Sequence, residues 1–202
     1  MIITVDGFSC QGKSTVARTL AEELGWEFFS IGTLFRYLAD RFLQNRHTSL
    51  CEHDAVRDAI DIMHRSDMAV ILAFRNAKFQ ELEKALSIIS GYPEVHENIA
   101  ARVLAYAKDK NLLIDGRVGF LLFPNALRNY YFVTSLEKRA ENASRSRSLS
   151  IEDARKYIAF RDTFEIRYEI PPRVVTLSLD PFPTVDAIVR HLKDDILTLL
   201  KP

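Results

Sequence analysis

No charge of either sign is in excess: 27 Lys+Arg stand against 27 Asp+Glu. Capture of a nucleic-acid polymer by bulk charge is therefore not expected, although a local cationic pocket is compatible with the balance. Cysteine is scarce. Cys10 and Cys51 are the two in the chain, too few for a disulfide framework, and neither has a neighbour at metal-ligand spacing. No stretch approaches the ~20 apolar residues that a membrane span needs. The opening Met1-Ile2-Ile3-Thr4-Val5-Asp6 has no basic leader and only a brief apolar run, unlike a signal peptide. The expectation is a cytoplasmic protein in a reducing compartment, with no membrane partner. Internal repeats and linkers are also missing. With 48% hydrophobic and 27% charged residues, wholesale disorder and a fibrous low-complexity chain are excluded.

What is present is a length of 202 residues, enough for one α/β domain with a sizeable core and too little for two large ones. Strand-like and helix-like segments alternate. Ile2 to Val5 is a β-branched run, and Ser14 to Leu24 carries Val16, Ala17, Leu20, Ala21 and Leu24 at helical spacing before Gly25. Trp26 to Phe29 is a short apolar piece, and Thr33 to Leu43 reads as helix. Residues 52–90 hold no Pro or Gly and read mostly as helix, with Met68 to Phe74 ambiguous between helix and strand. After the break at Gly91-Tyr92-Pro93, Glu94 to Lys108 is helical and Leu112-Leu113-Ile114-Asp115 is a compact strand. Tyr130 to Val133, a helix from Ser135 to Ala143, a strand at Val174 to Leu179 and a helix from Val185 to Leu200 complete the pattern. Ser150-Ile151-Glu152-Asp153 resembles a capping box, and the helix it opens is expected to run to about Tyr168 before Pro171-Pro172. The polar stretch Ala143 to Ser150 reads as a mobile loop. Apolar strands separated by helices indicate a parallel sheet covered on both faces.

One motif carries chemistry. Gly7-Phe8-Ser9-Cys10-Gln11-Gly12-Lys13-Ser14 fits G-x-x-x-x-G-K-[ST], after a strand and before a helix. Gly7 and Gly12 allow a tight turn and close approach to an anion. Successive N–H groups then point inward, and the helix N-terminus adds positive potential. Lys13 can reach the β/γ-phosphates and the Ser14 hydroxyl can ligate Mg²⁺. Cys10 is either a thiol activated by the helix N-terminus or a small loop residue facing away from phosphate. Asp115 ends a buried strand, where it either helps hold Mg²⁺ or caps the following loop. Phosphoryl transfer needs cations around the transferred group, and Arg suits bidentate phosphate contacts. Arg36, Arg117, Arg161 and Arg167 are candidates, each alternatively a solvated surface residue. Arg117 stands out because it follows Asp115-Gly116. Arg145 and Arg147 are loop charges that could reach a nucleotide under a lid. A GTPase-type switch is disfavoured because no N-K-x-D pattern occurs. A P-loop protein that binds nucleotide without turnover, and a kinase of another small metabolite, remain as alternatives.

These residues resemble the cytidylate kinases. The likeness lies in Ile3-Thr4-Val5-Asp6-Gly7 with its phosphate loop, Thr15-Val16-Ala17-Arg18, Leu24-Gly25-Trp26 and Ser30-Ile31-Gly32-Thr33-Leu34-Phe35-Arg36. It continues through Pro93-Glu94-Val95, Ile114-Asp115-Gly116-Arg117, Phe123-Pro124-Asn125-Ala126 and Arg161-Asp162. The resemblance implies a three-layer P-loop kinase fold with a parallel five-stranded core. It implies one domain over 1–202, with a helical substrate-binding region at 37–108 and a lid at 143–170. It implies transfer of the ATP γ-phosphoryl group to CMP or dCMP with Mg²⁺. A monomer or small homo-oligomer is expected. Gly7, Ser9, Cys10, Gln11, Gly12, Lys13, Ser14 and Thr15 would bind ATP, and Ser14 and Asp115 would hold the metal. Lys13, Arg117, Arg161 and Arg167 would act on the transferring group, while Arg36, Ser87, His96, Asp115 and Arg117 would receive the acceptor. The sequence departs from the family where the base is read: the family's G-R-D is Gly116-Arg117-Val118, and the Arg after P-x-V is His96. Glu165 replaces a lid Asp, and Arg167 falls one position short of the last lid Arg. The expectation is kept phosphate machinery and altered base readout, with either a modified pyrimidine nucleotide as acceptor or cytosine contacts moved elsewhere.

Overall fold

The computed structural model describes residues 1–45, 52–74, 82, 85–86, 88–163 and 167–201. Five strands form one parallel sheet: β1 (Ile2–Asp6), β2 (Glu27–Ser30), β3 (Leu112–Asp115), β4 (Arg128–Val133) and β5 (Val175–Ser178). Their order is β2-β3-β1-β4-β5. In register, Val5 stands beside Asp115 on one side and Tyr130 on the other. All four residues of β3 are buried, which is why it reads as a continuous apolar run rather than an alternating one.

The described helices are α1 (Lys13–Leu24), α2 (Ile31–Asn45), α3 (Glu52–Arg65), α4 (Met68–Ala73), α5 (Pro93–Tyr106), the single turn α6 (Gly119–Leu122), α7 (Leu136–Arg147), α8 (Ile151–Asp162) and α9 (Val185–Leu199). Backbone contacts divide the chain into two compact units, Met1–Phe29 with Lys110–Pro202, and Ser30–Asp109. In the first, α1 and α9 lie together over one sheet face. Leu20 and Leu192 pack there against Ile3, Val5 and Phe132. Each such buried side chain stabilises the fold by about 2 kcal/mol. α1 stops at Gly25, whose φ of 66° lets Trp26 N–H return to the Ala21 carbonyl at 2.9 Å. β4 is tied to α9 by Asp195, which accepts from Tyr130 Oη at 2.6 Å and pairs with Arg128 at 2.9 Å. Burial, then Asp195, push the Tyr130 hydroxyl well above its ordinary pKa, so it stays a donor.

In the second unit α2 packs on α3 and α4, and α3 on α5. Leu34, Leu38, Phe42, Met63, Ile71 and Ile99 are wholly buried. The ambiguous segment 68–74 is helical over Met68–Ala73, opened by Asp67, whose carboxylate accepts from Ala69 N–H at 2.7 Å.

Two sequence expectations are corrected. Residues 143–147 are not loop but the last turns of α7, with Ala143 buried between α7 and α8. α8 ends at Asp162 rather than near Tyr168, and residues 167–170 are not helical. No helix among the described residues is long and apolar enough to cross a membrane.

Candidate active site

The chain leaves β1 for α1 on one face of the sheet and leaves β3 for α6 on the other. Such a divergence opens a crevice outside the carboxyl ends of the two strands. The loop from Gly7 to Gly12 lies there. Gly7 has φ 134°, and a Cβ on it would fall 2.6 Å from the Phe132 carbonyl and into the Gln11 side chain. No other residue fits that position. Gly12, at φ 84°, caps the N-terminus of α1, and Cys10 is held at φ 65° without being glycine. Left-handed residues within the loop turn backbone N–H groups toward one concavity, which suits an anion. The first amides of α1, at Lys13 and Ser14, face the same end, while Thr15 N–H turns back to the Gly12 carbonyl at 3.1 Å.

Lys13 is buried, and its ammonium donates to the Phe8 carbonyl at 2.6 Å. Its charge therefore sits on the rim of the loop. Ser14 Oγ donates to Asp115 Oδ2 at 2.6 Å, and Arg117 donates to Ser9 Oγ at 3.0 Å. The expected loop residues, Asp115 and Arg117 are thus gathered in one place. A hydroxyl and a carboxylate that meet this closely are hard oxygen donors of the kind Mg²⁺ takes alongside substrate phosphates. The residues present fit that ion.

Three groups near the loop carry no signal in local sequence. Asp6, the last residue of β1, is fully buried and accepts from Gly119 N–H at 2.7 Å, Phe120 N–H at 2.9 Å and the Thr4 hydroxyl at 3.0 Å. Burial raises its pKa to about 6 against the pull of those donors and of Lys13. By gripping α6, Asp6 fixes the backbone that follows Arg117. Arg139 and Asn142, on one face of α7, reach the loop itself. Arg139 Nε donates to the Ser9 carbonyl at 2.9 Å, and Asn142 Nδ2 donates to the Cys10 carbonyl at 3.0 Å. Arg139 also holds both carboxylate oxygens of Asp162, at 3.0 and 2.6 Å. Only a sequence separation of 130 or more positions, bridged by the fold, brings these together.

Arg161 is buried on the last turn of α8. Arg145 and Arg167 are exposed, and Arg147 lies over the Tyr157 ring at 4.3 Å. In the second unit, Arg36 donates to Thr33 Oγ1 at 3.2 Å. His96 Nε2 lies 2.8 Å from the Ser90 carbonyl, and its ring packs on Phe35 at 5.2 Å between centroids. Since a carbonyl only accepts, that ring nitrogen carries the proton. Ser87 and Glu165 lie outside the described residues.

A glycine loop cradled between a parallel sheet and its first helix, with lysine and carboxylate at its mouth, places the chain among the P-loop phosphotransferases. Residues 3–172 match the family model described as cytidylate kinase. The chain belongs to that family, a group of nucleoside monophosphate kinases. The cytidylate kinase of Geobacillus sp. (strain WCH70) is 29% identical, covering 96% of this chain and 97% of its own. That of Streptococcus gordonii is 28% identical over 84% and 83%. Among solved structures, a gluconokinase from Sinorhizobium meliloti 1021 superposes with a TM-score of 0.53 at 15% identity, over 98% of this chain and 91% of that one. This last likeness is one of fold alone.

Proposed function

We propose that the protein transfers the γ-phosphoryl group of ATP to CMP, dCMP or a related pyrimidine nucleoside monophosphate. The observation that carries the reading is the meeting of Ser14 and Asp115 at 2.6 Å beside Lys13, at the mouth of the loop, in a chain of this family. Ser14 and Asp115 hold Mg²⁺, which when bound neutralises charge on the phosphates. Loop amides from Gly7 to Thr15 bind the polyphosphate. Lys13, Arg117 and Arg161 stabilise charge on the equatorial oxygens of the transferring group. Arg167, or Arg145 and Arg147, complete the cluster from the lid at 143–170. Arg117 in the first unit serves the acceptor phosphate, and in the second unit Arg36 and the region 37–108 serve the acceptor. No general base is required, because positioning and electrostatics supply most of the acceleration.

Base readout is weaker than in a strict cytidylate kinase. Val118 brings no hydrogen-bonding group, and the His96 Nε2 proton is directed at Ser90 within its own unit. A site without polar partners for the exocyclic amino group gives up the discrimination that such partners provide. The test is an ADP-release assay with ATP and Mg²⁺ over all nucleoside monophosphates and a panel of small hydroxylated metabolites. CMP and UMP are expected to be used within about tenfold of one another, since the side chain at 118 offers no polar contact to tell their bases apart. The Lys13→Ala variant is expected to lose on the order of 10²–10³ in kcat. Turnover of a metabolite in preference to every nucleotide overturns the acceptor assignment. Full turnover by Lys13→Ala overturns the mechanism.

A further inference from the structure

Two consecutive carbonyls of the phosphate loop are held from outside. Arg139 Nε donates to Ser9 O at 2.9 Å, and Asn142 Nδ2 donates to Cys10 O at 3.0 Å. The two donors stand three residues apart on α7, so one helix face supplies both. In a trans peptide the carbonyl and the next N–H point in opposite directions. Fixing Ser9 O toward Arg139 therefore turns the Cys10 N–H the other way, and fixing Cys10 O toward Asn142 does the same for the Gln11 N–H. Cys10 has φ 65°, a conformation that a non-glycine residue keeps only when its surroundings hold it. Asn142 supplies such a hold, and its amide nitrogen also lies 3.7 Å from where a Cβ on Gly12 would stand.

Arg139 is itself held. Its guanidinium is buried, with both remaining nitrogens on the Asp162 carboxylate and the Phe8 ring centroid 5.8 Å from its central carbon. A planar fork can serve Ser9 and both carboxylate oxygens at once, whereas a lysine ammonium cannot match that geometry. Asp162 closes α8, the helix that also carries Arg161.

We propose that Arg139 and Asn142 are positioning residues that hold the amides of Cys10 and Gln11 facing the polyphosphate, with Asp162 locking Arg139 in place. The proposal rests on the reading of Gly7–Thr15 as the ATP site and assigns the outer shell of that site to α7. It does not require either side chain to touch the nucleotide. Preorganised amides cost no rearrangement when the anion arrives.

The test separates loop geometry from nucleoside contact by using inorganic tripolyphosphate beside ATP, with CMP as acceptor. Asn142→Leu keeps the size of the side chain and removes the donor. Asn142→Ala removes it without the bulk, should leucine prevent folding. Arg139→Lys keeps the charge and loses the fork. For each variant, the Kd of tripolyphosphate by calorimetry and the KM of ATP are expected to rise together, about five- to tenfold for a lost hydrogen bond. The KM of CMP is expected to stay within about twofold, since the loop does not receive the acceptor. A merely structural role moves the melting temperature without this split, and that result overturns the proposal. So does an ATP KM that rises while tripolyphosphate binding stays at the wild-type value, because the side chains then act on the nucleoside. Wild-type protein that fails to bind tripolyphosphate overturns the ATP-site reading and this one with it. Wild-type binding matched by every variant overturns this one alone.

Discussion

A buried carboxylate keeps its charge only when donors around it outweigh the loss of water, and at Asp6 they do not quite succeed. Two backbone amides and a hydroxyl point at it, yet burial holds its pKa at about 6. In the unfolded chain the same group titrates near 3.8. The folded state therefore binds this proton more tightly, and its contribution to stability is present in full below pH 4 and falls away as pH rises through about 6. Urea midpoints measured from pH 4 to 7 are expected to show that loss in the wild type and not in Asp6→Asn. At pH 5 the variant is expected to be less stable by about 1–3 kcal/mol, because its amide turns a donor toward the N–H groups of α6. An equal pH slope in both proteins would sink the assignment. The sequence shows Asp6 at the end of a strand but not what it meets, since Gly119 arrives from 113 residues away. The phosphate loop is legible for the opposite reason. Its requirements, two glycines, a lysine and a hydroxyl, are local and fall within eight positions. Asp115 shares that clarity as the last residue of an apolar run, while Arg139 and Asn142 look like ordinary polar residues on a polar helix.

Helix boundaries follow the same division between local and distant causes. Ser150 caps α8 as its sequence indicates, accepting from Asp153 N–H at 3.0 Å and donating to the Asp153 carboxylate at 2.7 Å. Ser150→Ala is expected to lower stability by about 1 kcal/mol, read as a shift in urea midpoint at unchanged slope. No shift would mean the cap is replaced by water without cost. The extension of α7 through Arg147 escaped the sequence pattern because the buried part of its contact with α8 is made by Ala140, Ala143, Ala154 and Ile158, with Leu149 and Tyr157 packed against them only in part. Small residues let two helices approach but leave little hydrophobic periodicity to read. The early end of α8 has a local cause as well: Thr163 Oγ1 donates to the Phe160 carbonyl at 2.7 Å and closes the last turn. No glycine or proline marks that end.

The two units of the molecule carry separate cores, and the loop belongs to the one that contains the sheet. Trp26, the single tryptophan of the chain, packs against that core and reports its unfolding. ATP with Mg²⁺ at a hundredfold its Kd is expected to stabilise this unit by about 2.7 kcal/mol, raising the midpoint of the Trp26 fluorescence melt by about 5–10 °C. The midpoint of Lys13→Ala is expected to move far less, and an equal rise in both would show that the nucleotide binds elsewhere. A parallel sheet was legible from the alternation of strands and helices. The strand order was not, because which strands become neighbours is settled by the paths of the crossovers and not by any segment's own residues.

Those crossovers bear on how the protein is made. β1 emerges long before its two neighbours, which begin at Leu112 and Arg128. The whole stretch from Gly7 to Asn111 must be synthesised before either side of β1 is covered. Throughout that interval the nascent chain presents bare strand edges to chaperones and to other growing chains.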